Sequence, residues 1–132
     1  MNNAGVFSLG DLEIAGEMDA VVQKPVRSLD GMTAVTLEAS FSYGTGGVAC
    51  AAVVQTTFDG NAWRDVARFD FDTATAVKHC NLEGLLSKPV TSYAPLVKQG
   101  FYDGVLGNGL RAVVSSKGEY SGTSLALRAS VR

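Results

Sequence analysis

The single histidine, His79, sits beside a cysteine in the stretch Val-Lys-His-Cys-Asn at 77–81. An imidazole next to a thiol is a starting point for nucleophilic catalysis or for part of a zinc shell. Neighbouring residues of a strand, however, point to opposite faces, so this spacing separates Cys80 from His79. The other cysteine, Cys50, lies far off in sequence, and the pair reads as two free thiols rather than a bridge. Asp70 and Asp72 have the chemistry of an acid–base pair. They alternate along a strand that also carries Arg68, and surface ion pairing is the expectation. The glycine-rich stretches at 44–47 and 104–109 lack the lysine and the strand-to-helix setting of a phosphate loop, so they read as turns. The residues predict no enzyme, no catalytic residue, no cofactor and no metal.

Aromatic side chains are the remaining candidates for a site. Trp63, Tyr93, Phe101, Tyr102 and Tyr120 could form a sugar platform, as aromatics on flat β-sandwich faces do. Trp63 stands at the inward phase of its strand and reads as a core residue. It closes the hairpin end, delivered there by a turn at Asp59-Gly60. Tyr93, Phe101 and Tyr102 fall in a long irregular segment, where a partner protein would use them. With Asn2 and Asn3 of a polar N-terminal arm, they are the partner-contact candidates; glycan binding is the weaker alternative.

These residues must be positioned by strands, because the period is two nearly everywhere. Val35, Leu37, Ala39, Phe41 and Tyr43 alternate with polar neighbours. The run 48–57 is apolar on both faces and predicts a central strand covered on both sides. On 63–71, Ala67, Phe69 and Phe71 share a face, and keeping Trp63 inside would also bury Asp65. A β-bulge near 64–66 resolves that conflict. A second hairpin is expected through the turn Asp-Thr-Ala-Thr at 72–75, and another turn at 117–122. Leu110, Ala112 and Val114, then Leu125, Leu127, Ala129 and Val131, alternate in the last third. Two weaker strands are expected early, over 6–9 or to Ile14, and over 19–22. The segment 83–108 holds Pro89, Pro95 and several glycines, predicting a long loop with one short helical turn around 82–86. The expectation is an all-β, antiparallel β-sandwich of jelly-roll type. It is a single domain over 1–132, with a flexible arm at 1–5.

The chain has 132 residues, enough for one core without a staple, and 46% hydrophobic residues place it clear of disorder. A net charge of −2 gives no basic face for nucleic acid. No segment approaches the apolar length of a membrane span, and the N-terminus has no basic and apolar leader pattern.

The stretch "YGTGGVACAAVVQTTFDGNAWRDVARFDF", followed by "TATAVKHCNLEGLL", resembles a family of small proteins of tailed bacteriophages and prophages of α-proteobacteria. Gln55, Thr56, Asp59, Gly60, Trp63, Asp65, Val66 and Ala67 fit that family's hairpin pattern. The resemblance runs from "NNAGVFSLG" to the closing "SLALRASVR". It implies a non-enzymatic virion component, made in the host cytoplasm, and carries no catalytic residue over. A compact sandwich with loops that order on docking favours a capsid cement protein. Its partners would be the major capsid protein and its own copies, as a trimer or hexamer. Neck, tail-terminator or tail accessory roles are the alternatives, as is a glycan-binding surface module.

Overall fold

Alternation decides the strands. In β3 (Ala34–Ser42), Val35, Leu37, Ala39 and Phe41 are buried while Glu38 and Ser42 are exposed. β11 (Thr123–Val131) repeats this with Leu125, Leu127, Ala129 and Val131 inward, and β9 (Gly109–Lys117) with Leu110, Ala112 and Val114. The computed structural model describes residues 4–132, so the contact candidates Asn2 and Asn3 lie outside the described residues. The remaining strands are β1 (Gly5–Ile14), β2 (Met18–Val22), β4 (Thr45–Gly46), β5 (Ala49–Thr57), β6 (Trp63–Phe71), β7 (Ala76–Glu83), β8 (Gly100–Phe101) and β10 (Tyr120–Ser121).

The strands form a four-stranded sheet, β1-β11-β3-β7, and a five-stranded sheet, β2-β9-β5-β6-β8, with a small β10-β4 pair at one end. Every pairing is antiparallel. β1 pairs with β11, β2 with β9, β3 with β7 and β5 with β6. These nested pairs are those of a long hairpin rolled into two sheets, which is the jelly-roll arrangement. The expected all-β sandwich is what the chain forms.

One core lies between the sheets, contributed by both. Phe41 is its centre: fully buried, it stacks on Phe71 at 4.8 Å and meets Tyr120 edge-on at 5.9 Å. The Tyr120 hydroxyl donates to the Asp72 carbonyl at 2.6 Å, fixing the connection that leaves β6. No buried side-chain nitrogen or oxygen among the described residues lacks a partner.

Several connections differ from the sequence reading. The segment 72–75 makes no hairpin, because β6 and β7 belong to different sheets and the chain crosses the core edge there. Residues 118–122 likewise carry the chain from β9 to β11, pairing β10 with β4 on the way. No helical turn forms around 82–86: Leu82 is buried within β7, and only a tight turn follows. The long loop therefore starts after Glu83 and is interrupted by β8. β5 is central, as expected, but its second face stays half-buried. Gly5 already belongs to β1, which shortens the expected arm.

Gly107 shows how tightly one turn is drawn. A Cβ there would lie 1.9 Å from the Thr57 carbonyl oxygen, so only glycine fits. Phe41→Ala should destabilise the fold by about 3–5 kcal/mol, since it deletes a fully enclosed ring from a packed core. Urea unfolding followed by far-UV circular dichroism measures the loss.

Candidate functional site

The hairpin between β5 and β6 is built on Asp59. Its Oδ1 accepts the backbone N–H groups of Asn61 and Ala62, each at 2.8 Å, and these hold the carboxyl below its ordinary range. Gly60 takes a φ of 83°, the left-handed value that this turn requires. The turn stands as expected.

The expected bulge is present too. Val54 pairs with Ala67 and Gln55 with Asp65, leaving Val66 as the extra residue. Its consequence reaches further than the sequence reading allowed. A one-residue shift turns Asp65 to the outer face, and it takes Trp63 with it. Trp63 is therefore half-buried on the outside of the five-stranded sheet, and its expected place in the core is corrected. Two arginines stand over its ring, with Cζ of Arg111 at 4.5 Å and Cζ of Arg27 at 5.7 Å from its centre. Gln55 beside it accepts from Arg111 Nε at 2.8 Å and donates to Asp65 Oδ1 at 2.8 Å. Burial and the nearby Arg27 push the Arg111 pKa down.

Asp65 is the buried carboxylate of this face. Having Gln55 on Oδ1, it accepts the Leu96 N–H on Oδ2 at 2.9 Å, while its own N–H donates to Tyr93 Oη at 2.9 Å. One strand residue thus holds the loop at two points. Asp70 holds it at a third, accepting the Gln99 N–H at 3.0 Å on Oδ2 and pairing with Arg68 Nε at 2.8 Å through Oδ1. Arg68 Nη1 in turn donates to the Leu96 carbonyl at 3.0 Å. The loop after β7 is long and irregular, yet it is tied down through its backbone.

Tyr93 and Tyr102, both named as contact candidates, come together on this loop with ring centres 6.5 Å apart. Tyr102 Oη donates to the Ala94 carbonyl at 2.8 Å. A cavity of about 330 Å3 opens beside them, lined also by Arg64, Lys88 and Val105. Arg64 stands 5.3 Å from the Tyr93 ring and Lys88 5.9 Å from the Tyr102 ring. Phe101, the third candidate, is exposed on β8 and faces away toward the β7 side. Outside the aromatics, Leu85, Leu86, Val90 and Val97 of the loop are exposed, Val90 and Val97 at 103% and 81%. These aliphatic residues were missed by sequence reasoning, though their lack of any period was the available signal.

The groups that could do chemistry stay apart. His79 Nε2 faces Glu38 at 2.9 Å on an exposed outer face, while Cys80 points inward. Both cysteines are free; burial pushes the Cys50 thiol up to about 11 and raises that of Cys80. No group of three metal-ligating residues occurs among the described residues, and no helix there is long and apolar enough to cross a membrane.

Two outcomes follow. Asp65→Ala should speed amide exchange at Leu96 and through 93–96 while leaving β3 and β11 protected, with a stability loss of about 1–3 kcal/mol. Trp63→Ala should cost only about 1–2 kcal/mol, less than Phe41→Ala, because it removes a half-exposed ring and its cation contacts. The emission of Trp63 should be quenched by iodide, an anion its two arginines attract.

The geometry has to speak for itself, since no protein-family model, no curated protein and no solved structure matches the chain.

Proposed function

We propose that this protein is a non-enzymatic structural component of a bacteriophage virion, docking as a cement protein on the head shell beside copies of itself. The observation that carries the reading is the apolar loop surface, Leu85, Leu86, Val90, Tyr93 and Val97, exposed yet pinned to a rigid sandwich. Isolated apolar residues on a surface need no explanation, but a run of them on one held loop marks a protein contact. The weak net charge of −2 suits docking by apolar contact rather than by electrostatic attraction. The resemblance of the β5–β6 hairpin and its flanks to tailed-phage proteins points the same way.

Sugar binding draws less support. The Tyr93 and Tyr102 rings, on which a sugar would stack, already have Arg64 and Lys88 beside them. A glycan would have to displace those cations first.

Virions lacking the protein should package DNA and release it on heating, whereas complete virions retain it. Deletion virions as heat-stable as complete ones would overturn the cement role. Copy number separates the positions: on the order of hundreds per virion for a shell protein, about six or twelve for a neck or tail ring. The double substitution Val90→Asp with Val97→Asp should weaken rebinding to deletion virions by about tenfold or more, leaving the thermal unfolding curve unchanged.

A further inference from the structure

The two sheets are unequal on one side. β7 ends the four-stranded sheet and lies over β6, joined to it by Lys78 Nζ on the Asp70 carbonyl. β8 carries the five-stranded sheet one strand further. Opposite β8 and beside β7, where a fifth strand would complete the smaller sheet, a groove of about 540 Å3 opens instead. Phe69, Cys80, Gly100 and Phe101 line it. The cations at its ends are already engaged, Arg68 by Asp70 at 2.8 Å and Lys78 by Gln99 Oε1 at 2.6 Å.

The backbone of β7 is unpaired toward this groove. The Glu83 N–H donates to Asp103 Oδ1 at 2.7 Å and its carbonyl accepts the Gly104 N–H at 3.1 Å, so both groups point away from β3. An antiparallel ladder alternates in this respect. Asn81, His79 and Val77 therefore turn both their N–H and C=O the same way, and no described residue meets them.

Native sheets protect such edges, and the other three edges here are protected. β1 has a bulge between Ser8 and Gly10 and carries Asp11 and Glu13. β2 is short and irregular, with Ala20 at a φ of 48°. The last edge, β8, is only two residues long, and the rest of β6 behind it is capped by Tyr102 N–H on the Val66 carbonyl and by Gln99 Oε1 on the Asp70 N–H. β7 alone is regular, pairing with β3 from Ala34 to Phe41 without a shift.

We propose that this groove receives one extended segment of a partner protein, added as a strand beside β7. Its alternate side chains are apolar where they enter the groove and basic where they face outward. The inward residues would meet Phe69, Phe101 and Cys80. The outward ones would meet Glu83, which shares the outer face of β7 with Val77, His79 and Asn81, while Glu38 on β3 is already faced by His79 at 2.9 Å. A second copy of this chain is a poor occupant: laying β7 along its own counterpart would drive each overhanging β8 into the other sandwich's β6. None of the loop residues 85–97 lines the groove, so this proposal and the virion reading can fail independently.

The probe is a capped peptide roughly nine residues long, of alternating valine and lysine, compared with one carrying proline at its central valines. Amide exchange at Val77, His79 and Asn81 should slow about tenfold or more with the first peptide and not with the second, leaving the outer edge of β1 unchanged. His79→Pro removes a groove-facing N–H without touching the β3 ladder, and Phe101→Glu places a charge at the groove wall. Each should weaken peptide binding about tenfold while unfolding remains cooperative. No protection at millimolar peptide, or equal protection in His79→Pro, overturns the proposal. So does a concentration-dependent dimer that protects the same amides without peptide.

Discussion

Pairing of β1 with β11 places Gly5 opposite Val131 and Ile14 opposite Thr123, and it supports the four-stranded sheet along its whole length. No local turn brings these strands together, and every other main pairing nests inside this one. Loop-closure entropy opposes such long-range contacts until buried area offsets it. Folding is thereby coupled across the chain, and slow folding is the usual companion of this topology. Inside that closure the core residues Leu125, Leu127 and Ala129 of β11 are held against Leu37, Ala39 and Phe41. The loop, the groove and the tryptophan all take their positions from strands fixed in this way.

How much of this is legible in the sequence depends on the range of the signal. Val35 to Phe41 and Leu125 to Val131 alternate without interruption, and their strands and inward faces follow directly. The bulge in β6 is legible because one phase could not satisfy both Ala67 and Asp65. The destination of a strand is not. Residues 72–75 have the composition of a hairpin turn, yet the same four residues suffice to step from one sheet to the other. Turn chemistry specifies local backbone angles and says nothing about which sheet follows.

The fate of Trp63 has a related cause. Strand phase and the turn at Asp59-Gly60 argued for the core, whereas the bulge reverses every outward and inward position beyond it. Asp65 and Trp63 are separated by two, so they share a face. The outer face could hold both because Arg111 and Gln55 project from it by the same alternation, at matching register on β9 and β5. The candidate site was thus partly legible: Tyr93 and Tyr102 do meet, but the residue that holds Tyr93 and Leu96 in place, Asp65, belongs to a strand away from them in sequence. Asp65 is recognisable as an anchor only after the loop is seen to fold back over it.

The manner of that anchoring separates two kinds of inheritance. Asp65 grips the Leu96 N–H, Asp70 the Gln99 N–H and Arg68 the Leu96 carbonyl, all of them main-chain groups. Tyr93 is the one loop side chain tied into β6 upstream of Leu96. Leu85, Leu86, Val90 and Val97 can therefore change identity while the same clasp holds the same backbone. A lineage, or an engineer, can rewrite what the loop presents without renegotiating how the sandwich folds.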